Sequence, residues 1–184
     1  DDLGTEELQF LGNGFNRMSA ALDASEQHRA HEMAKARRIH LSLLPPENTA
    51  MSGATWAARY MPADEIGGDF YDLIPYPDGR WLWLVADISG HGIPAALITA
   101  MLKSLTRQSV RQGQALAQTI SILNQEIETL VGTEHFVTCL LVLYDPSSSF
   151  LEYVNCGHEP AVVIDEHGKI TGGLSTTGLP LGID

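Results

Sequence analysis

A β-hairpin is predicted from GGDFYDLIPYPDGRWLWLVADISGHG, residues 67–92, with an aspartate on each of its two strands. Residues 77–79, Pro-Asp-Gly, suit a three-residue turn, because proline presets the first φ angle and glycine accepts the left-handed conformation that ends the turn. Counting outward from this turn places Asp69 opposite Asp87. Directly opposed side chains on one sheet face have Cβ atoms roughly 4.5–5.5 Å apart. A register shift of one residue would send the two carboxylates to opposite faces.

The paired carboxylates indicate a metal site. Two carboxylates at this distance repel each other, and in a buried setting one takes up a proton unless a cation lies between them. Residues 81–86 are apolar on both faces, which is typical of a central strand covered on both sides, so Asp87 at its end needs a partner. Oxygen ligands of this kind suit Mg²⁺ or Mn²⁺. The alternative is that the aspartates cap turns on a solvated sheet edge.

A glycine-rich loop follows the second strand. Residues 88–92 read Ile-Ser-Gly-His-Gly and lead into a predicted helix with Pro94 in its first turn. The free backbone N–H groups and the dipole at such a helix start favour an anion. Gly90 and Gly92 are therefore candidates for a phosphate-binding loop. A Gly-His-Gly loop alone is more often a plain strand-to-helix turn, but its place beside two facing aspartates indicates a phosphate handled at a metal.

Four motifs in order carry a family resemblance. They are GGDFYD at 67–72, ADISGHG at 86–92, NCGHEP at 155–160 and GLPLG at 178–182. Together they resemble the SpoIIE-like branch of the PPM (type 2C) metal-dependent serine/threonine protein phosphatases, from about residue 59 to the end of the chain. The resemblance implies an α+β fold, a layered α-β-β-α sandwich of two antiparallel sheets with helices outside. It also implies two Mn²⁺ or Mg²⁺ ions at one end of the sandwich.

The resemblance also implies roles for the hairpin residues. Asp69 and Asp87 match the family's two N-terminal metal-binding aspartates, and Ile88 matches the position that offers a backbone carbonyl to the metal. The implied reaction is hydrolysis of phosphoserine or phosphothreonine on a protein by metal-activated water. Since most of the barrier must be lowered electrostatically, loss of either aspartate should nearly abolish activity.

Three further polar residues are weaker candidates. His91 is a candidate general acid for the leaving hydroxyl, although it follows Asp87 by four residues rather than two as in eukaryotic relatives, and loop packing is the alternative. Arg59 is a candidate phosphate contact, with an exposed arginine at a strand start as the alternative. His158, in the NCGHEP motif, is expected to shape a turn rather than to take part in chemistry.

Phosphatases of this family carry further metal-binding aspartates after the Gly-Leu-Pro-Leu-Gly motif. The sequence ends at Asp184, so residues 45–184 are expected to form a C-terminally incomplete phosphatase domain. Half of the metal site would then be missing, which would leave this fragment inactive. The substrate implied by the resemblance is a small phosphorylated bacterial regulator, such as an anti-sigma-factor antagonist.

Two other functions are less favoured by the sequence. One is a catalytically incomplete, phosphatase-like module that serves as a dimeric docking scaffold. The other is a diguanylate cyclase, because residues 67–70 superficially resemble that family's GGDEF signature. In those enzymes the glycines form the hairpin tip, whereas here the predicted tip lies at residues 77–79. A phosphopeptide hydrolysis assay on the intact protein separates the phosphatase from the scaffold.

A long coiled-coil helix is predicted within residues 1–44. Apolar residues recur at alternating intervals of three and four, with a polar interruption, at Leu8, Leu11, Phe15, Met18, Leu22, Ala36, Ile39 and Leu43. Residues 45–46, Pro-Pro, end the helix. Such a seam indicates a partner helix and hence a homodimer. The alternative is an amphipathic helix that lies on the phosphatase domain.

The start of this helix, at residues 2–4 and 15–18, resembles the second helix of a HAMP signalling module. That resemblance implies a membrane anchor upstream in the intact protein, in a bacterial inner membrane, with this part on the cytoplasmic side. No run of about 18 apolar residues occurs, so no direct membrane contact is expected here. A net charge of −12 disfavours nucleic acid as a partner. Cys139 and Cys156, without a CxxC motif, indicate reduced packing residues.

The remaining chain is predicted to complete one globular domain. Apolar stripes and alternation predict helices at 94–110 and 115–131 and strands at 136–144, 150–155, 161–164 and 169–171. Strands, then two helices, then further strands fit a layered sandwich rather than alternating βαβ units. At 184 residues and 44% hydrophobic content, the chain can bury one core and carry an appended helix.

Overall fold

A computed structural model describes residues 3–46, 49–62, 66–131 and 135–183. In these residues the chain forms three helices and six strands. The helices are α1 (Leu3–Ser42), α2 (Ile93–Arg111) and α3 (Leu116–Val131), and the strands are β1 (Asp69–Pro75), β2 (Trp81–Ile88), β3 (Val137–Asp145), β4 (Phe150–Cys156), β5 (Ala161–Ile164) and β6 (Ile170–Leu174). The predicted elements are all present, with ends that differ by up to three residues.

The strands form two antiparallel sheets. One sheet has four strands in the order β1-β2-β3-β4, and β5 and β6 form a separate pair. The turn between β1 and β2 has the predicted three-residue form, since Tyr76 N–H donates to the Arg80 carbonyl at 2.8 Å and Gly79 has φ +90°. This turn pairs Asp69 with Asp87, so the predicted register is confirmed.

One face of the four-stranded sheet packs against α2 and α3. Alternate residues of the strands point to this face and are buried, as expected for the period of two along a strand. They meet the apolar stripes of the two helices in one core, which includes Phe70, Leu82, Leu84, Ile88, Ile98, Leu102, Leu116, Leu123, Ile127, Val137, Leu141 and Leu143. Burial of this face stabilises the sheet and fixes its orientation against the helices.

The opposite face of the sheet is only partly covered. Residues 55–58 lie beside it at a hollow of about 350 Å³ whose lining includes Tyr71, Trp83 and Val85. Val85 is 42% exposed, whereas Leu84, its neighbour on the other face, is fully buried. The prediction that β2 is a central strand is therefore confirmed, but the prediction that it is covered on both faces is wrong. Apolar residues on both faces indicated cover that the described chain does not supply.

A buried ion pair ties β1 to α2 on the helix-facing side. Arg107 of α2 makes two hydrogen bonds to the Asp72 carboxylate, both at 2.8 Å, and the Asp72 side chain is fully buried. Lys103 lies 3.7 Å from the same carboxylate and also donates to the backbone carbonyl of Leu43, just beyond α1. The end of α1 is thus joined to β1 through one lysine of α2.

The helix α1 contacts the domain only near its C-terminal end. His40 is buried, and Leu43 and Leu44 pack against the core. The apolar residues of the predicted seam that precede this end are exposed, from 61% to 70%: Leu8, Leu11, Phe15, Met18 and Leu22. Along this length α1 therefore does not lie on the domain. The alternative interpretation, an amphipathic helix that lies on the domain, does not hold for these residues.

Several predictions concern properties that the structure bears on only in part. Cys139 and Cys156 are free and buried, as predicted. Among the described helices, none is long and apolar enough to cross a membrane. The division of the chain near residue 44 and the HAMP-like character of α1 stay predictions. Asp2, which belongs to the HAMP-like stretch, and Asp184 lie outside the described residues.

Candidate metal centre

The two predicted aspartates stand in one row at an end of the four-stranded sheet. Asp69 on β1 pairs with Asp87 on β2, and Asp87 pairs with Thr138 on β3. Paired residues of antiparallel strands share a face, so all three side chains lie on the face opposite α2 and α3. Partial burial raises the pKa of Asp87 above its ordinary value, the nearby charge of Asp69 raises it further, and His158 acts in the opposite direction.

Three oxygen atoms converge beside Gly68, the residue before β1. A Cβ atom added to Gly68 would fall on the carbonyl oxygen of Ile88 and would lie 3.1 Å from both Asp87 Oδ1 and the Gly90 carbonyl oxygen. The N–H of Ile88 donates to the Gly68 carbonyl at 3.1 Å and holds the two segments together. Glycine is therefore required here because of space, and it leaves a cradle lined by oxygen.

Hydrogen bonds to two other segments fix the loop after β2. The N–H of Ser89 donates to the Phe136 carbonyl at 3.0 Å, and the N–H of Phe136 donates to Ser89 Oγ at 2.9 Å. His135 Nδ1 lies 2.9 Å from the Ser89 carbonyl oxygen. On the other side, Gly92 N–H donates to the Ile66 carbonyl at 3.0 Å. The loop is held in place before it enters α2.

The remaining predicted residues surround this loop or lie further away. Gly90 and Gly92 have φ +95° and +78°, a conformation that favours glycine, and α2 begins directly after Gly92 without a side-chain cap. His91 is exposed in the same loop. Arg59 lines a hollow of about 520 Å³ beside the end of α1, together with Pro46 and other residues. The roles of Gly90, Gly92, His91 and Arg59 in phosphate chemistry stay predictions.

The donor set fits a hard divalent cation. It consists of two carboxylates and neighbouring backbone carbonyls, and oxygen ligands are those that Mg²⁺ and Mn²⁺ prefer. Within the described ranges no lysine or arginine lies within ion-pair distance of Asp69 or Asp87. The same ranges contain no cluster of three or more His, Cys, Asp or Glu side chains suited to a metal. The residues present therefore supply part of a coordination sphere.

Thr138 lies near the centre but was not predicted to belong there. His158 Nδ1 lies 3.0 Å from Thr138 Oγ1, and Thr138 is the partner of Asp87 on β3. Thr138 and His158 are 20 residues apart in sequence, so no local pattern brings them together. Only the pairing of β3 with β2 does so, and a sequence-based register for that pair would have been the signal to find Thr138.

Solved structures show which class of protein has this fold. The PP2C domain of SiaA from Pseudomonas aeruginosa matches with a TM-score of 0.72 and 19% identity, over 86% of this chain and 65% of that one. The PP2C phosphatase domain of SpoIIE from Bacillus subtilis, with a fragment of its regulatory domain, matches with a TM-score of 0.56 and 17% identity, over 73% of this chain and 36% of that one. The fold is that of the PP2C phosphatases.

The family follows from the sequence. Residues 77–184 match the family described as Stage II sporulation protein E, and this chain belongs to that SpoIIE family. Phosphoserine phosphatase RsbP of Bacillus subtilis is 29% identical over 113 residues, which are 59% of this chain and 28% of the relative. Phosphoserine phosphatase RsbU of the same organism is 27% identical over 158 residues, 86% of this chain and 47% of the relative. The chain thus spans less than half of either relative, and the predicted family resemblance is confirmed.

Proposed function

We propose that this chain is part of a metal-dependent protein serine/threonine phosphatase of bacterial signal transduction. The observation that carries the proposal is the pair Asp69 and Asp87, which face each other on a solvent-accessible sheet end. In the part of the chain that the structure describes, no lysine or arginine forms an ion pair with either carboxylate. The phosphoserine phosphatases RsbP and RsbU, as relatives, support this reading. The proposed substrate is phosphoserine or phosphothreonine on a small regulatory protein, such as an anti-sigma-factor antagonist.

The proposed cofactor is Mn²⁺ or Mg²⁺, two ions in the complete domain. Asp69, Asp87 and the Ile88 carbonyl would hold the metal within the part of the chain described here. Bound there, divalent ions would lower the pKa of water and neutralise charge on the phosphoryl group. A side chain at position 68 would overlap the Ile88 carbonyl oxygen and crowd the Asp87 carboxylate, so glycine at this position leaves both groups accessible.

The chain's own residues would bind and orient the substrate. The loop with Gly90 and Gly92 leads into an α2 start whose N–H groups have no side-chain cap, so they can donate to phosphoryl oxygens. His91, exposed in this loop, is the proposed general acid for the leaving hydroxyl, and Arg59 is a proposed phosphate contact. These residue assignments are the most detailed part of the proposal.

The direct test is turnover of a phosphoserine peptide by the intact protein with Mn²⁺. Asp69→Asn and Asp87→Asn should each lower kcat/KM by at least about 100-fold, since each removes charge that stabilises the transition state. The control is Glu166→Gln, because Glu166 is an exposed acid in the turn between β5 and β6. Turnover that survives in both aspartate variants, or that persists without divalent metal, would overturn the proposal.

The second candidate is a catalytically incomplete docking module, and the limited donor set in the described residues favours it. It predicts no turnover by the intact protein with Mn²⁺ and unchanged binding of the partner by Asp87→Ala. The phosphatase hypothesis predicts turnover by the intact protein and loss of turnover in Asp87→Ala. One protein preparation therefore decides between the two candidates.

We also propose that α1 pairs with a second copy of itself. The support is the exposed apolar seam, a row in which Phe15 is 68% and Ile39 67% exposed. Single cysteines at Phe15 and at Ile39 should each give disulfide-linked dimers under mild oxidation. A cysteine at Glu26, outside the seam, is the matched control. A protein that stays monomeric in ultracentrifugation would remove this part of the proposal.

A further inference from the structure

The NCGHEP and GLPLG motifs pack against each other and are joined by backbone hydrogen bonds. The N–H groups of Thr177 and Gly178 both donate to the Asn155 carbonyl, at 2.8 and 3.1 Å. Gly157 has φ +68°, and any side chain on it would overlap the ring of Pro180. The two motifs are therefore held together both by backbone hydrogen bonds and by close contact that only glycine permits.

A buried asparagine anchors this unit and places His158. The side chain of Asn155 donates to the Leu174 carbonyl at 2.9 Å and accepts the N–H of His158 at 2.8 Å. Asn155 is fully buried, so both bonds are shielded from water. The backbone of His158 is consequently fixed at the end of the sheet that carries the two aspartates.

The turn itself does not need an imidazole. Asn155 caps the turn through the backbone N–H of His158, a group that every residue except proline has. The ring of His158 instead makes its own bond, 3.0 Å from Nδ1 to Thr138 Oγ1. The expectation that His158 only shapes a turn therefore leaves its side chain unexplained.

The ring bond bears on Asp87 because of the order of residues across the strands. Asp87 is flanked by Asp69 on one side and by Thr138 on the other. Thr138, whose hydroxyl lies at hydrogen-bond distance from the His158 ring, is the cross-strand neighbour of Asp87 on that side.

We propose that His158 is a positioning residue of the candidate metal centre: through Thr138 it holds the Asp87 carboxylate in the orientation in which it shares a cation with Asp69. This inference rests on the proposed function. Residues that orient a metal ligand without touching the metal typically contribute about 10–100-fold to metal affinity. His158 would act in this way, with Thr138 as the link.

The test uses Mn²⁺ binding by the intact protein, followed by the loss of the free-ion signal in electron paramagnetic resonance. Thr138→Val removes the hydroxyl at constant shape, and His158→Phe removes both ring nitrogens. Each should weaken Mn²⁺ binding by about 10-fold or more. His158→Asn, whose amide replaces Nδ1, should retain most of the affinity, whereas His158→Gln, whose amide replaces Nε2, should not. His167→Phe, in an exposed turn, is the control.

Each outcome separates this inference from the proposed function. Wild-type affinity in Thr138→Val and His158→Phe would overturn the positioning role while leaving the phosphatase proposal intact. Rescue by His158→Gln instead of His158→Asn would also overturn it, since Nε2 would then contact the ion or the phosphoryl group directly. Absence of Mn²⁺ binding by the wild-type protein would overturn the proposed function and this inference together. Urea unfolding of each variant shows whether a loss of affinity comes from unfolding, and a loss explained by unfolding would count against the inference.

Discussion

The two faces of the four-stranded sheet place their carboxylates in different surroundings. On the helix-facing side, the buried Asp72 has a fixed cation, because Arg107 binds it through two hydrogen bonds of 2.8 Å. On the other side, Asp69 and Asp87 face each other, and partial burial, followed by the charge of Asp69, raises the pKa of Asp87. A carboxylate with a built-in partner is part of the structure. Two facing carboxylates with no such partner among the described residues are the pair that we propose as a cation site.

The largest effect is expected from Gly68→Ala, at the edge of the face that carries the pair. The added methyl would collide with the Ile88 carbonyl oxygen, so the backbone beside Asp87 must move. We expect Mn²⁺-dependent turnover of the intact protein to fall about 100-fold, since small misplacement of a reacting group has effects of this size. Gly172→Ala is the matched control, because nothing lies near the added atom there. Equal activity in both variants would contradict an oxygen cradle at Gly68.

The next largest effect is expected from Asp72→Asn, on the helix-facing side. The change leaves the partly buried Arg107 and Lys103 without their buried counter-charge, which should lower the free energy of unfolding by about 3 kcal/mol. Urea unfolding measures it. The control is Asp78→Asn, since Asp78 pairs with Arg80 at the surface and its loss should cost less than about 1 kcal/mol. Similar losses of unfolding free energy in the two variants would mean that the buried and the surface ion pair contribute equally to stability.

A smaller effect concerns pH and the buried His40, which has no charged partner among the residues that the structure describes. Burial lowers the pKa of His40, whose Nε2 has no hydrogen-bond partner among the described residues. The folded state therefore keeps His40 neutral where the unfolded state already binds a proton, so stability is lost as pH falls below about 6.5. The loss is at most about 1.4 kcal/mol per pH unit. Unfolding of His40→Phe should depend less on pH between about 7.5 and about 5.5 than unfolding of the wild-type protein.

The control for the pH experiment is His167→Phe. His167 lies exposed in the turn between β5 and β6, so this variant controls for the replacement of a histidine by phenylalanine at the surface. If His40→Phe and the wild-type protein lose the same free energy on acidification, His40 is protonated in the folded state and the burial argument fails.

The last prediction compares two neighbouring residues of β2, one on each face of the sheet. Val85→Ala, on the partly covered face, should cost less than about 1 kcal/mol, whereas Leu84→Ala, on the buried face, should cost about 3 kcal/mol. Urea unfolding of the two variants measures the difference. If Val85→Ala in the intact protein costs as much as Leu84→Ala, something covers that face beyond the residues described here.

The features that could be predicted from the sequence depend on short-range physics. The turn at residues 77–79 sets the register of β1 and β2, and therefore the pairing of Asp69 with Asp87 follows from local rules. Apolar stripes likewise located α2 and α3. The four sequence motifs were sufficient to identify the family. The described residues contain only part of the metal ligands that the family resemblance implies.

The features that could not be predicted depend on contacts between distant segments. Arg107 lies 35 residues after Asp72, and nothing near either residue indicates the pair. The place of Thr138 beside Asp87 depends on the pairing of β3 with β2. The open face of β2 was missed for a related reason, because an apolar side chain indicates that cover is favourable and does not say which segment supplies it.

The lysine that joins α1 to the sheet has a mechanical consequence. Lys103 shares one ammonium group between the carbonyl of Leu43 and the carboxylate of Asp72, three residues from Asp69. The 40 residues of α1 extend roughly 60 Å from this anchor. A tilt of about 5° at the anchor would displace the N-terminal end of α1 by about 5 Å. A small rotation of α1 at Lys103 would therefore produce a large displacement at its N-terminal end, and the point of rotation lies next to β1, the strand that carries Asp69.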